Sequence, residues 1–197
     1  MSARAVHPIE QRSYAILRER LDTSALPPWT RLVVERVIHA SADITYATDL
    51  VCDENALAAG AGALLAGAPV VADVRMTAAG ITARRVVCRL SDVRPLARPA
   101  SSGSSAPSGP TRSAAAVRLA LEEVGPGAVW VVGCAPTALA ELLTLAADAR
   151  PALIIGLPVG FVGATEAKAA LRASALPAVS NISEKGGAAV AAAAVNA

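Results

Sequence analysis

Apolar residues recur at helical spacing over the first third of the chain. Tyr14, Leu17 and Leu21 predict an amphipathic helix that starts near Pro8, because proline is favoured in the first turn of a helix. This part of the chain is therefore predicted to be helical. Two further helices, over 29–43 and 54–66, and a polar loop over 41–53 complete the N-terminal prediction.

Beyond residue 68 the pattern changes to short apolar runs, rich in β-branched residues, that alternate with helical segments. Such alternation is typical of right-handed βαβ crossovers, which place helices on both faces of a parallel sheet. The predicted fold class is therefore α/β, in three layers, with a mainly parallel five-stranded sheet and extra N-terminal helices. The predicted strands cover 69–74, 85–90, 128–132, 152–156 and 178–182, and the helices between and after them cover 111–124, 136–147, 163–173 and 185–195.

The length of 197 residues allows one buried core, and we predict a single domain over 1–197. Within it, the stretch 98–110 is rich in serine, proline and glycine and is predicted to be a flexible loop. The longest stretch without a charge, 55–72, is mostly alanine with helix-breaking glycine and proline, so we expect no membrane span. The N-terminus has no apolar segment of the kind found in secretory signals.

The composition argues against several classes of partner. A formal net charge of +2 and an aromatic content of 3% are too low for a dedicated nucleic-acid-binding domain. Cys52, Cys88 and Cys134 lie far apart and outside metal-binding spacings, which argues against a disulfide framework and a zinc site. We therefore expect a cytoplasmic protein with no metal, no nucleic acid and no membrane among its partners.

Loops rich in glycine and hydroxyl groups follow the predicted strands and lead into helix N-termini. The free N–H groups and the positive dipole end of such a helix attract anions. Because ligands of parallel sheets bind beyond the carboxyl ends of the strands, these loops indicate a ligand with several carboxylates or phosphates. For any one loop, a tight strand-to-helix turn explains the glycines without a ligand. The loops are 133–137, 156–163 and 180–187, together with the segment that starts at Asp73.

His39 lies on the polar face of the helix predicted over 29–43. At 100° per residue it points away from the apolar stripe of that helix and lies one turn from Glu35 and Arg36. A polar face exposed to solvent is the alternative explanation. Because an imidazole titrates near neutral pH, this face is a candidate for proton transfer.

Three common site motifs do not occur in the chain. The glycine-rich loop 156–163 does not match G-x-G-x-x-G, no Gly-Lys-Ser/Thr follows it, and there is no G-x-S-x-G. Arg112 is predicted in the first turn of a helix, where a cation opposes the helix dipole. Contact with an anionic ligand would compensate for this cost, and a surface arginine is the alternative.

Seven segments of the chain form a distinctive set of motifs, and the most specific is Gly156-Leu-Pro-Val-Gly-Phe-Val-Gly-Ala164. The other segments are Glu10-Gln-Arg-Ser-Tyr14, Arg36-Val-Ile-His-Ala40, Asp73-Val-Arg-Met-Thr-Ala-Ala-Gly80, Thr111-Arg-Ser-Ala-Ala-Ala116, Gly133-Cys-Ala-Pro-Thr-Ala-Leu139 and Gly186-Gly187, with Glu166 and Lys168. Together these segments, which span nearly the whole chain, resemble the precorrin-8X methylmutase family and its cobalt-precorrin-8 counterpart. Cys134 stands where the resemblance implies asparagine, and the Ser-rich loop is a second departure.

The resemblance implies a flavodoxin-like, homodimeric isomerase of cobalamin biosynthesis that needs no separate cofactor. Such an enzyme moves a methyl group between adjacent ring C carbons of precorrin-8X or cobalt-precorrin-8 by a 1,5-sigmatropic shift, giving hydrogenobyrinic or cobyrinic acid. The resemblance implies that His39 is the active histidine, and we hypothesise that it protonates or hydrogen-bonds a ring nitrogen. The residues predicted to bind the carboxylates of this anionic tetrapyrrole are Ser13 and Arg36, with Arg112, Ser113 and Thr137 as further candidates.

Two alternatives stay open. A non-catalytic corrinoid-binding carrier with the same fold would bind product without converting substrate. A flavodoxin-like module for another anionic ligand would show no affinity for a tetrapyrrole. The sequence is compatible with a metal-free or a cobalt-containing substrate, and with a pocket formed by one chain or by two.

Overall fold

Ten helices and one six-stranded sheet make up the part of the protein that the computed structural model describes, residues 7–82, 84–94 and 109–197. Helices cover both faces of the sheet, which gives three layers. The strands are β1 (Leu50–Cys52), β2 (Val70–Ala72), β3 (Val86–Val87), β4 (Val129–Val132), β5 (Leu153–Gly156) and β6 (Ala178–Asn181). The helices are α1 (Pro8–Arg20), α2 (Pro28–Ser41), α3 (Tyr46–Asp49), α4 (Glu54–Leu65), α5 (Arg75–Gly80), α6 (Arg112–Val124), α7 (Pro136–Thr144), α8 (Ala146–Ala149), α9 (Ala164–Ala173) and α10 (Ala188–Val195).

The strands lie in the order β1-β6-β5-β4-β2-β3. All neighbouring pairs from β3 to β6 are parallel, whereas β1 runs antiparallel to β6, with Leu50 opposite Asn181 and Cys52 opposite Val179. The central strands β4 and β5 are buried along their whole length. This burial explains their continuous apolar sequences, because helices cover both sides of them. The predicted α/β class with a mostly parallel sheet is confirmed.

Alternate residues of the strands point into two separate apolar cores. Val129 and Val131 face the core formed with α1, α2, α4 and α10, whereas Trp130 and Val132 face the core formed with α6, α7 and α9. This alternation follows the two-residue period of a β-strand. The two cores divide the predicted site residues between two helix layers: Ser13, Arg36 and His39 on one side, and Arg112, Ser113 and Thr137 on the other.

The sheet has one strand more than the five that the sequence predicts. The stretch 41–53, predicted as a loop, contains α3 and the edge strand β1. With three residues, β1 is too short for a two-residue period to be recognised, and its pairing with β6 depends on a segment far along the chain. The helix α5, directly after β2, was likewise not predicted.

The remaining boundaries differ in detail from the predictions. The second predicted strand shortens to Val86–Val87, and the helix predicted over 136–147 divides into α7 and α8. The predicted flexible loop 98–110 lies outside the described residues, apart from 109 and 110. None of the helices in the described ranges has both the length and the apolar character needed to span a bilayer.

Candidate active site

The C-terminal end of α2 lies at the carboxyl edge of the sheet, the edge at which the sequence predicts a ligand. Asp43, two residues after α2, accepts a hydrogen bond from Nζ of Lys185 at 2.7 Å, and Lys185 follows β6. After Asp43 the chain forms the short helix α3 and then the strand β1, which runs antiparallel to β6. His39, in the last turn of α2, is therefore held at the carboxyl edge.

His39 lies against Ser13 and Tyr14 of α1. Oγ of Ser13 is 2.8 Å from Nδ1 of His39. The Tyr14 ring stacks on the imidazole, with ring centroids 4.9 Å apart and an interplanar angle of 12°. The helix α1 is held on α2 because Leu17 is buried in the core beneath it. These contacts occupy Nδ1 and one face of the ring, and no hydrogen bond joins Nε2 to another described residue.

A cavity of about 320 Å³ opens beside His39 and Ser13. Its α1 wall consists of residues at the positions i, i+3, i+4, i+7, i+8 and i+11, which share one face of a helix. Ser13 is a predicted site residue, whereas its neighbours on this wall are not, although their spacing is visible in the sequence. Those neighbours are Ile9, Arg12, Ile16, Leu17 and Arg20.

Arg36 does not line this cavity. Its Nη1 donates to Oε1 of Glu10 at 2.6 Å and to the Tyr14 hydroxyl oxygen at 3.3 Å. With Glu10, Tyr14 and Glu35 it lines a separate cavity of about 410 Å³. Its charge is therefore compensated by a carboxylate of the protein, and the Tyr14 ring that it touches is the one stacked on His39.

The sequence places Glu35 on the polar face of α2 together with His39. This prediction of a shared surface is wrong, because Glu35 is buried. Its side chain is 3% exposed and accepts hydrogen bonds from Arg18, Thr23 and Arg31. Burial acts to raise the pKa of this carboxyl, but the three donors outweigh burial and lower the pKa to about 2. The reason is tertiary, because α1 and the loop after it cover the face of α2 that carries Glu35.

The other three predicted contacts lie in the opposite helix layer. Arg112 and Ser113 begin α6, and Thr137 lies in the first turn of α7. Nη2 of Arg112 donates to the backbone oxygen of Leu90 at 3.1 Å, and the hydroxyls of Thr137 and Thr111 are 2.8 Å apart. Because α7 begins just after β4 ends, these residues lie at the carboxyl edge of the sheet, on the face opposite α2. The Leu90 carbonyl gives the Arg112 cation a partner within the chain.

Carboxylates of the protein itself occupy two of the loops predicted to bind anions. Asp73, after β2, accepts hydrogen bonds from the backbone N–H groups of residues 133–135 at 2.7 to 3.2 Å. Asp49 accepts from the N–H groups of Ile182 and Ser183 at 3.1 and 2.8 Å. These N–H groups therefore stabilise internal charges rather than a ligand.

A buried lysine holds the loop between β6 and α10. Lys168 is 0% exposed, and its Nζ donates to Oδ1 of Asn181 at 3.0 Å and to the backbone oxygens of Ser183 and Lys185. Burial lowers the pKa of this ammonium to about 8. Gly186 has φ +152°, and a Cβ there would lie 2.2 Å from a backbone oxygen of the loop after β5, so close packing requires glycine. The network fixes Lys185 opposite Asp43, at the end of α2.

Cys134, the departure from the asparagine that the resemblance implies, is half-buried near Asp73. Burial raises the pKa of its thiol. Its contact with the Asp73 carboxylate is made by the backbone N–H, at 2.7 Å. Because this bond does not depend on the side chain, cysteine leaves the anchoring of the loop intact.

Comparisons with known proteins agree with one another. A family model described as precorrin-8X methylmutase matches residues 8–197. The chain is 40% identical to the precorrin-8X methylmutase of Pseudomonas aeruginosa, over 96% of this chain and 92% of that protein. It is also 40% identical to the cobalt-precorrin-8 methylmutase of Methanocaldococcus jannaschii, over 83% of this chain and 76% of that protein.

Solved structures show the same likeness. The crystal structure of a precorrin-8X methylmutase from Thermus thermophilus superposes with a TM-score of 0.80 at 33% sequence identity, covering 96% of this chain and 94% of that one. A precorrin-8X methylmutase related protein superposes with a TM-score of 0.76 at 29% identity, covering 93% and 96%.

Proposed function

The chain belongs to the precorrin-8X methylmutase family, and from this premise we propose that His39 is the proton donor of its reaction. Membership makes the protein an isomerase of cobalamin biosynthesis that transfers a methyl group within one molecule. In the proposed reaction the methyl group leaves one carbon of ring C and bonds to the adjacent carbon. Atoms and electrons balance inside the substrate, so the task left to the protein is to favour the reactive tautomer of the macrocycle.

The observation that carries the proposal is the hydrogen bond between Ser13 and His39 at the wall of the cavity. A neutral imidazole has one N–H group, so when Ser13 donates to Nδ1 the proton of His39 is on Nε2. When His39 is protonated, Nε2 carries a proton as well, and Ser13 then accepts from Nδ1. In both states Nε2 can donate to a pyrrolic nitrogen of the ligand, as a general acid requires.

The cavity also fits the character of the substrate. Its wall combines aliphatic side chains such as Ile9, Ile16 and Ile38 with the polar groups of Ser13 and His39. A tetrapyrrole acid has the same two parts, an apolar ring and carboxylates around its rim. Among the predicted carboxylate contacts, Ser13 is at this cavity, whereas Arg112, Ser113 and Thr137 are proposed to reach the substrate from the other helix layer.

Arg36 is assigned a different contribution. Because its guanidinium is compensated by Glu10 and bonded to the Tyr14 hydroxyl, we propose that it holds Tyr14 against His39. The Arg36 guanidinium can bind a substrate carboxylate only if its ion pair with Glu10 breaks.

Replacing His39 by alanine tests the proposal. The assay follows the absorption change from substrate to hydrogenobyrinic or cobyrinic acid, with metal-free and cobalt-containing substrate supplied side by side, because relatives named for each are equally similar. Loss of a general acid is expected to lower kcat about 100- to 10,000-fold. The matched control is His7→Ala, since His7 is exposed and its side chain caps the start of α1 by accepting a hydrogen bond from the backbone N–H of Ile9.

Two outcomes contradict the proposal. Near-normal turnover by the His39→Ala variant removes His39 from the mechanism. A wild-type protein that binds product but leaves the spectrum of both substrates unchanged is a carrier rather than an enzyme.

We also propose that the fold is flavodoxin-like and that the protein works as a homodimer in the cytoplasm. When the five parallel strands are numbered by themselves along the chain, their order in the sheet is 2-1-3-4-5, which is the flavodoxin order.

Phe161 and Val162 are 96% and 88% exposed, an apolar pair that suits burial against a second copy. The free thiols of Cys52, Cys88 and Cys134 suit a reducing compartment. A dimer of the wild type and a monomer of the Phe161→Asp variant in sedimentation would support the dimer, and a wild-type monomer would contradict it.

A further inference from the structure

Two arginines of α1 lie at the cavity beside His39, and neither has been assigned a role. We propose, on the basis of the function proposed above, that Arg12 and Arg20 bind peripheral carboxylates of the tetrapyrrole and so orient its ring over His39. Both side chains are exposed and line the cavity together with Ser13.

Helical geometry places the two cations at separate points along one wall. Eight residues separate Arg12 from Arg20, so their Cα atoms are about 12 Å apart along the helix axis. At 100° per residue they lie within about 80° of each other around that axis, with Ile16 between them. An apolar surface with a cation toward each end matches a flat apolar ring that carries carboxylates on its rim.

The charges of these two arginines are not compensated within the part of the chain that the structure describes. Within the described residues, neither guanidinium takes part in an ion pair or a side-chain hydrogen bond. Six other basic side chains differ from them in this respect. Arg18, Arg31, Arg36, Arg89, Arg118 and Lys185 each pair with a carboxylate.

The two cavities that α1 helps to line also differ in charge. The cavity of about 410 Å³ contains Arg18 and Arg36, but also Glu10 and Glu35, so its charges balance. The residues described around the His39 cavity include two arginines and no aspartate or glutamate. An anion therefore gains more by entering the His39 cavity.

The backbone offers fewer alternatives for these carboxylates than the sequence predicts. The N–H groups before α7 and after β6 are bonded to Asp73 and Asp49. Cationic side chains are then needed as the hydrogen-bond donors for these carboxylates, in place of the N–H groups of helix N-termini. Arginine suits this task, because its planar guanidinium donates two parallel hydrogen bonds to a carboxylate.

The test compares the binding of two probes, hydrogenobyrinic acid and the same compound with its peripheral carboxylates converted to carboxamides. The variants are Arg12→Gln, Arg20→Gln and the double substitution. Arg150→Gln is the matched control, because Arg150 is also exposed but precedes β5, at the opposite edge of the sheet. Absorbance or fluorescence titration gives Kd for each pair, and circular dichroism checks the fold.

Each single substitution is expected to raise the Kd of the acid about 10-fold, the usual effect of losing a charge-assisted hydrogen bond. The wild type and the Arg150→Gln variant should prefer the acid over the carboxamide, and the double variant should lose most of this preference, the rest being due to the other proposed carboxylate contacts. A general disturbance of the cavity would weaken both probes alike and would contradict the proposal. So would a double variant that keeps the wild-type preference for the acid.

Failure of this proposal can be told apart from failure of the proposed function. If His39→Ala turns over normally while the double variant loses its preference for the acid, the result supports Arg12 and Arg20 as carboxylate-binding residues and contradicts His39 as the proton donor. If His39→Ala is inactive but Arg12 and Arg20 are dispensable for binding the acid, the anchors are wrong and the function stands.

Discussion

Oγ of Ser13 lies 2.8 Å from Nδ1 of His39, although the two residues are 26 positions apart in the chain. The contact exists because α1 packs across α2 and brings the middle of α1 to the last turn of α2. It determines which imidazole nitrogen is left for the ligand, so it links the packing of two helices to the proposed proton transfer.

Removing the Ser13 hydroxyl should slow the reaction without abolishing it. We expect Ser13→Ala to lower kcat about 5- to 10-fold, because one neutral hydrogen bond contributes about 1 to 1.5 kcal/mol and its loss leaves the imidazole less well oriented. Single-turnover absorbance measurements would detect this change. Ser24→Ala, at an exposed position in the loop after α1, is the control, and equal rates for both variants would show that the contact has no role.

The ring of Tyr14, rather than its hydroxyl, should matter most for His39. Tyr14→Phe keeps the stacked ring and loses the bond from Arg36, so we expect kcat to change by less than about 3-fold. Tyr14→Leu removes the stacking, which is worth about 0.5 to 1.5 kcal/mol, and should lower kcat by up to about 10-fold. Parallel kinetics of the two variants decide this, and a larger loss in Tyr14→Phe would contradict it.

Glu35 should make stability depend on acidic pH. Its pKa is lowered from 4.5 to about 2 in the folded protein, so folding favours the ionised form. The stabilisation is therefore complete above pH 4.5, about 3 kcal/mol, and is lost as pH falls from 4.5 towards 2. Urea unfolding of the wild type and Glu35→Gln should show a large difference at pH 7 that shrinks between pH 4.5 and 2. A difference that is constant over this range would rule out the ionised carboxylate as its source.

Asp73 is expected to stabilise the carboxyl edge rather than to bind substrate. In Asp73→Asn an NH2 group replaces one carboxylate oxygen and cannot accept the hydrogen bonds that this oxygen receives from residues 133–135, which are either the bond from Gly133 or the bonds from Cys134 and Ala135. We expect a loss of about 2 kcal/mol and a fall in Tm of about 4 to 8 °C. Asp92→Asn, which breaks an exposed ion pair with Arg89, should change Tm by less than about 2 °C. Equal effects in calorimetry would contradict the special role of Asp73.

Much of the fold was predictable because the signals are local. The five parallel strands and the helices between them follow from apolar runs and helical spacings within segments of about a dozen residues, where the period of the side chains reflects the backbone geometry. The strand β1 escaped prediction because its three residues owe their conformation to pairing with β6. Local pattern carries little information when a partner distant in sequence determines the structure.

By itself, the sequence determined the α/β class with a mostly parallel sheet, the family and the position of His39 on a helix face away from the core stripe of α2. Only the tertiary structure decided the polar contacts, because each joins segments far apart in the chain. It brought Ser13 and Tyr14 to His39, paired Arg36 with Glu10 and buried Glu35. It also placed Asp73 on the segment before α7 and Asp49 on the loop after β6, and it left Arg12 and Arg20 facing the cavity. The physical reason is that burying apolar surface needs only the right period, whereas a hydrogen bond or ion pair needs two particular groups within about 3 Å of each other.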